Sequence, residues 1–289
     1  MGMNIVVTGG NGKLGKHLVA ELVKDHQVTV LDRAGEVPKS AAFIQGDVCD
    51  YDTCLRAFKG ADVVIHLAAI PHPLSDPQPL VWKVNVTSTY NVHEAAVAAG
   101  VRRVVHASSD STLGFCFMNK RIEPEYLPLD EKHPCKPQDS YGLSKLTGEL
   151  IAQSFTRRTC LETISLRICL VLFPGVDYCL RVTRDARDKP AVDRKNLWTY
   201  NHVLDAVQAF RLAAEVETVE HEVLFISAAD LLASEETMEL VKRFHPAVTD
   251  IRGDLSGRKS LVDYSKAGRV LGYMPKHNWR EILETPTSR

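Results

Sequence analysis

Tyr141 and Lys145 stand four residues apart in the stretch QDSYGLSK. On a helix that spacing is one turn, so the phenol and the ammonium share a face. An unperturbed phenol, with a pKa of about 10, is a poor base near neutrality. A neighbouring cation favours the phenolate, and a phenolate beside a substrate hydroxyl can take its proton. The same spacing is also met in ordinary surface pairs, so its meaning depends on the rest of the chain. Ser109, in ASSDSTLG, adds a hydroxyl that could orient a substrate oxygen, and Asp110 beside it adds an acid.

The stretch TGGNGKLG, Thr8 to Gly15, suits a different task. Gly9 permits a tight turn, Gly12 lets a pyrophosphate approach the backbone, and Gly15 lets a helix pack closely on a strand. With Asn11, Lys13 and Leu14 they form a loop whose N–H groups and positive helix end attract phosphates. Asp32 follows Gly9 by 23 positions. An acid there accepts hydrogen bonds from the adenosine ribose and repels a 2′-phosphate, which favours NAD over NADP. Arg33 weighs against that preference, because an arginine can pair with the phosphate. Asp47, beside Val48 in QGDV, can reach an adenine amino group or simply cap a helix.

These residues need a scaffold that brings them to one edge. Short, β-branched, nearly continuous apolar runs occur at Asn4–Thr8, Gln27–Leu31, Ala42–Gln45, Val63–Leu67, Arg103–Ala107 and Glu162–Arg167. Strands buried on both faces of a parallel sheet read this way. Helical patterns separate them at Gly12–Lys24, Tyr51–Phe58, Pro79–Ala99 and Ser140–Thr156. The alternation predicts an α/β, Rossmann-type doubly wound parallel sheet. Beyond it, Phe173–Asn196 reads as a long polar loop, Val203–Glu215 as a helix and Val223–Ser227 as a strand. Short helical patterns follow near Ser234–Phe244 and Asp263–Leu271. The expected division is a dinucleotide-binding domain of residues 1–171 plus about 200–227, and a small substrate lobe of about 172–199 plus 228–289.

Composition narrows the function classes. The 289 residues are 45% apolar and 25% charged, with a net charge near −1. No basic excess points to nucleic acid or an anionic membrane. The seven cysteines are odd in number and lack zinc-ligand spacing, so free thiols in a reducing compartment and no metal site are expected. No run approaches the roughly 20 apolar residues of a membrane helix. With no signal-peptide pattern before the first strand, a cytoplasmic location is expected.

In order, TGGNGKLG, Asp32, GDV, HLAA (His66 to Ala69), Asn85, ASSDSTLG and YGLSK resemble the extended short-chain dehydrogenases/reductases, the NAD-dependent epimerase/dehydratase group. The resemblance is clear from Met3 to about Gly175. It implies that Tyr141 is the general base, that Lys145 lowers its pKa and bonds the nicotinamide ribose, and that Ser109 donates to the substrate oxygen. It implies that Asn85 supports the lysine and a proton-relay water, and that Leu67, Ala68 and Ala69 border the cofactor. Where dehydratases of the group carry Thr-Asp-Glu, this chain has Ser109-Asp110-Ser111, so dehydration is disfavoured. The stretch ASSDSTLGF is similar to one in uronate and aldose dehydrogenases of the group. The expected activity is hydride transfer from a small sugar, sugar acid or polyol to NAD. A nucleotide-sugar epimerase using the same Ser/Tyr/Lys set is the alternative, and a non-catalytic NAD sensor a second one. Arg184 and Arg194 in the polar segment and His72 after the fourth strand are candidate substrate contacts, since an arginine can clamp a carboxylate. The resemblance also implies a homodimer built from the helices at Pro79–Ala99 and Ser140–Thr156; the apolar stripe of Val84, Tyr90, Val92 and Ala95–Val97 fits this and equally fits packing on the sheet.

Overall fold

The computed structural model describes residues 2–284. Met1 and residues 285–289, the outermost ends of the two expected domains, lie outside the described residues. Seven strands form one parallel sheet: β1 (Asn4–Thr8), β2 (Gln27–Asp32), β3 (Ala41–Gln45), β4 (Val63–His66), β5 (Arg103–Ser109), β6 (Glu162–Ile168) and, late in the chain, β9 (His221–Ile226). Their spatial order is β3-β2-β1-β4-β5-β6-β9. The order reverses between β1 and β4, the point where a doubly wound sheet opens a ligand crevice at its carboxyl edge.

Two layers of helices cover this sheet, because alternate residues of each strand face opposite ways. Ile5 and Val7 pack with α1 (Lys13–Leu22) and α6 (Val203–Glu215). Val6 packs on the other side with α2 (Tyr51–Ala57), α3 (Gln78–Ala99) and α4 (Ser140–Arg158). Arg103 fixes one corner. Its wholly buried guanidinium bonds Glu162 and donates to Ala213 O, Ala214 O and Val216 O at the carboxyl end of α6. A cation satisfies a helix end whose carbonyls have no helical partner.

A third core gathers segments that leave the carboxyl ends of β5, β6 and β9. It includes Leu113, Leu127, Trp198, Leu231, Leu240, Leu261 and Trp279. Here the structure corrects the expected polar loop. Residues Asp177–Asp188 form a helix, α5, burying Cys179, Leu180, Thr183 and Ala186. Those four recur at helical spacing, and the charged residues between them line the outer face. Single 3-10 turns follow at Pro190–Val192 and Arg194–Asn196. Two unforeseen strands, β7 (Leu170–Leu172) and β8 (Tyr200–His202), pair in parallel away from the main sheet. Helices α7 (Thr237–Phe244), α8 (Ser265–Leu271) and α9 (Arg280–Glu284) complete the tail.

Part of the apolar stripe on α3 packs on the sheet. Val92, Ala95 and Ala96 are buried in the sheet-side core. The large exposed apolar residues of α3 and α4 are Leu80, Trp82, Tyr90, Leu143 and Leu150. All seven cysteines are free. Among the described residues no helix is long and apolar enough to cross a membrane.

Candidate active site

The glycine loop joins β1 to α1 at the switch point. Gly9 has φ 70°, and a Cβ there would lie 2.7 Å from Ala68 N at the end of β4. A Cβ at Gly15 would lie 2.4 Å from Gly9 O, so the helix could not seat. Gly12, the cap of α1, is exposed, and a Cβ there would approach only Gly9 O, at 3.1 Å. The loop is therefore tight on its inner side and open on its outer one. Leu67 N donates to Thr8 O, and Leu67, Ala68 and Ala69 flank the loop half-buried.

Asp32 ends β2 beside this loop. Its carboxylate accepts from Asn11 N at 2.9 Å and from Arg33 N at 2.7 Å. The acid thus tethers the phosphate loop while staying partly exposed; the Arg33 side chain lies outside, exposed. Asn11 donates to Ala34 O, and its buried Oδ1 has no partner. Asp47 accepts from Cys49 N at 2.8 Å, Val48 is buried, Leu14 half-buried and Lys13 exposed. An open N–H loop, a ribose-placed acid and an orphaned acceptor fit a dinucleotide.

The chemical end lies at the carboxyl edge of β5. Asp139 caps α4, accepting from Tyr141 N and Gly142 N at 2.9 Å, so Tyr141 opens the helix and Lys145 follows one turn on. Ser109 Oγ donates to Asp110 Oδ1 and accepts from Ser111 N, both at 3.1 Å, and Ser109 favours the ionised form of the nearby Tyr141 phenol. The Phe117 ring meets Tyr141 edge-on at 6.0 Å. Lys145 Nζ lies 5.6 Å from the centre of the Tyr141 ring. The structure brings Ser109, Asp110, Tyr141 and Lys145 together.

The surroundings of the phenol pull in opposite directions. Burial pushes Tyr141 up, Ser109 pulls it down, and the nearby Asp110 raises it further. Lys145 Nζ donates to Ala107 O at 2.7 Å and sits over the ring face. The ammonium is thus engaged by β5 while it lies beside the phenol ring. Burial also lowers Lys145 to about 8 and raises Asp110 to about 6.

Asn85 is bonded on two sides. Its Oδ1 accepts from Ile70 N, and its Nδ2 donates to Ile70 O and to Ser144 Oγ. Ser144 in turn donates to Tyr141 O. Asn85 therefore pins the loop after β4 to the first turn of α4, and its partners do not include the lysine. His72 is half-buried and accepts from Leu74 N. Arg184 and Arg194 are exposed.

Two features escaped the sequence reading. Glu149 on α4 bonds Arg167 on β6 through both carboxylate oxygens, at 2.9 and 2.8 Å, and Ser108 Oγ donates to it at 2.5 Å. This buried pair is thus tied to Ser108, the residue before Ser109 on β5. Asp193 is also buried, and burial raises its acid to about 7. Nothing in the local sequence marks either; charged residues amid apolar runs were the one available sign.

Rossmann sheet, glycine loop and clustered Ser109, Tyr141 and Lys145 define a dinucleotide-dependent enzyme of the extended short-chain dehydrogenase/reductase class. Residues 5–227 match the NAD dependent epimerase/dehydratase family, and the chain belongs to it. A named relative is an L-arabinose 1-dehydrogenase (NAD(P)(+)) of Haloferax volcanii, 36% identical over 57% of this chain and 65% of that one. A UDP-glucose 4-epimerase of Corynebacterium glutamicum is 26% identical over 98% of this chain and 94% of that one. Among solved structures, MoeE5 in complex with UDP-glucose and NAD superposes with a TM-score of 0.73 at 29% identity, covering 98% of this chain and 96% of that one.

Proposed function

We propose that this chain is an NAD-dependent oxidoreductase acting on a hydroxyl of a small sugar, sugar acid or polyol. The observation that carries the reading is the grouping of Ser109, at the end of β5, with Tyr141 and Lys145, one turn apart at the start of α4, at the carboxyl edge of the sheet that also bears the glycine loop. The loop of Gly9, Asn11, Gly12, Lys13, Leu14 and Gly15 would hold the pyrophosphate, and Asp32 the adenosine ribose. Lys145 would hold the nicotinamide ribose. NAD, when bound, supplies the hydride acceptor.

The chain's own part is to hold the substrate oxygen and move its proton. Ser109 donates to the oxygen and fixes its distance from Tyr141. The phenolate takes the hydroxyl proton as the substrate C–H bond breaks and its electron pair leaves as hydride. Because only the phenolate can accept, and burial opposes it, oxidation should climb on the alkaline side. The protonated phenol suits the reverse direction, where it donates to a carbonyl oxygen.

A nucleotide-sugar epimerase would use the same residues. The near-complete coverage of the UDP-glucose 4-epimerase favours that reading; the arabinose dehydrogenase and the ASSDSTLGF stretch favour the first. The deciding experiment is an absorbance assay of NAD and NADP reduction with aldoses, uronic acids and polyols, beside Tyr141→Phe. Net NADH supports the dehydrogenase, and Tyr141→Phe should lower turnover about 100-fold or more, as loss of general base catalysis does. Epimer interconversion without net NADH selects the alternative. Unchanged turnover in the variant refutes the mechanism.

Exposed Trp82 and Tyr90 on α3 and Leu143 and Leu150 on α4 support a homodimer through these helices, since apolar side chains clustered at a surface favour association.

A further inference from the structure

Thr8 and His66 are register partners at the carboxyl ends of β1 and β4, the two strands between which the crevice opens. Their side chains face the layer of α3 and α4, as Val6 and Val64 do two residues earlier. His66 Nδ1 meets Thr8 Oγ1 at 2.8 Å, and His66 Nε2 meets Thr89 Oγ1 of α3 at 3.3 Å. All three residues are at most 3% exposed. The partners decide which nitrogen carries the proton. Thr89 Oγ1 spends its hydrogen on Asn85 O at 2.8 Å, so towards His66 it can only accept, and Nε2 is the donor. Burial, with Lys145 and His93 nearby, pushes the imidazole well below its usual range and keeps it neutral. A neutral ring has one N–H, so Nδ1 accepts and the Thr8 hydroxyl donates.

Packing holds the ring in its plane. It stacks on His106 of β5, with centroids 5.8 Å apart and planes 21° apart. His106 is closed in by α4: a Cβ at Gly148 would lie 2.5 Å from its Cε1. A side chain locked in this way fixes whatever it is bonded to.

Both arms of the imidazole end at groups of the site. On one side, Thr8 Oγ1 also accepts from Ala68 N at 3.4 Å, and Ala68 N is the atom that a Cβ at Gly9 would strike. Thr8 thereby joins the exit of β4 to the first glycine turn. On the other side, Asn85, which Thr89 bonds, donates to Ser144 Oγ at 3.1 Å, and Ser144 donates to Tyr141 O at 2.7 Å. A buried run of hydrogen-bonded residues therefore leads from the glycine loop to the helix turn of Tyr141, with His66 at its middle.

We propose that His66 is a positioning residue for the cofactor crevice: it holds Thr8, and with it Ala68 and the turn at Gly9, in the shape that receives the dinucleotide, in register with the turn of α4 that carries Tyr141. This rests on the NAD-dependent reading above. A turn no longer tied must be ordered by the ligand as it binds, and that cost appears as lost affinity. One buried hydrogen bond is worth about 10-fold on that scale.

Isothermal titration of the full-length chain with NAD measures the dissociation constant directly. His66→Gln keeps a donor near the place of Nε2 and removes the acceptor for Thr8. Thr8→Val removes the hydroxyl and keeps the branched shape. Each should raise Kd about 10-fold at a temperature where circular dichroism shows the variant folded. Both break the same bond, so the double variant should also bind about 10-fold more weakly than the wild type, not about 100-fold. His66→Asn, whose Oδ1 falls near the place of Nδ1, should stay within about threefold of the wild type. A single variant within about twofold of the wild type, an additive double, or a His66→Asn protein as weak as His66→Gln overturns the proposal. Should His66→Gln not fold, Thr8→Val beside Thr8→Ser decides: weakening confined to the valine variant supports the proposal, and equal affinities overturn it. A folded wild type that binds no NAD sinks the cofactor reading and this proposal with it. NAD bound equally by the wild type and every variant sinks this proposal alone.

Discussion

Replacing Glu149 with Gln tests whether one buried carboxylate holds the active helix in register. Glu149 and Arg167 side chains are 6% and 5% exposed. The carboxylate ties α4 to Arg167 on β6 by two hydrogen bonds and to Ser108 on β5 by a third. Glu149→Gln keeps one acceptor but turns the other oxygen into a donor facing a guanidinium that can only donate. Arg167 is then a buried cation without its hydrogen-bonded counter-charge, and removing one partner of a buried pair costs about 3–5 kcal/mol. Arg167 keeps Cys135 Sγ at 3.2 Å and the Phe225 ring at 5.4 Å, which argues for the lower end of that range. For a chain this long, 1 kcal/mol moves Tm by about 2 °C, so about 3 kcal/mol should lower it by about 6 °C. Urea titration and thermal melting followed by circular dichroism measure both quantities. The double variant Glu149→Gln/Arg167→Met should recover at least about half of the loss, because it leaves no unpaired charge. A single variant that loses less than about 1 kcal/mol, or a double variant no better than the single, would refute the reasoning.

Asp193 is raised by burial from an ordinary 3.8 to about 7, so between these values the folded protein keeps a proton that the unfolded chain has released. The group therefore costs stability increasingly as pH rises through that window. Asp193→Asn should match the wild type near pH 4 and exceed it at pH 8 by up to about 4 kcal/mol, and equal urea midpoints at pH 8 would count against it. Asp32→Asn should weaken NAD use and shift the kcat/KM ratio toward NADP by about 10-fold, because it removes a charge that repels the 2′-phosphate; an unchanged ratio rejects Asp32 as the selector. In sedimentation velocity the wild type should run at twice the 32.1 kDa chain mass, and Leu143→Glu/Leu150→Glu at the monomer mass. A monomeric wild type removes the proposed interface.

How far a sequence reveals a site depends on the range of the interactions that make it. The strands of the sheet were legible because burial on both faces demands continuous apolar runs, as in Ile5–Val7 and Val63–Ile65. The glycine loop was legible because close backbone approach excludes a Cβ, and only the residue type records that. The spacing of Tyr141 and Lys145 guaranteed that they would share a helix face. It could not say that the ammonium would turn to Ala107 O, which arrives from a strand 38 residues earlier. Nor could it show that Asp110 and burial would raise the phenol, because those surroundings are assembled by the whole fold. Helix α5 was hidden for a different reason: its outward face carries so many charges that four buried residues at helical spacing did not stand out. Asn85, Glu149 and Asp193 belong together in this respect. Each is a polar residue whose meaning lies in a partner, or a missing partner, contributed from elsewhere in the chain. Local pattern therefore locates the groups that can react, while long-range packing decides which charge each carries, and with it the substrates each can accept.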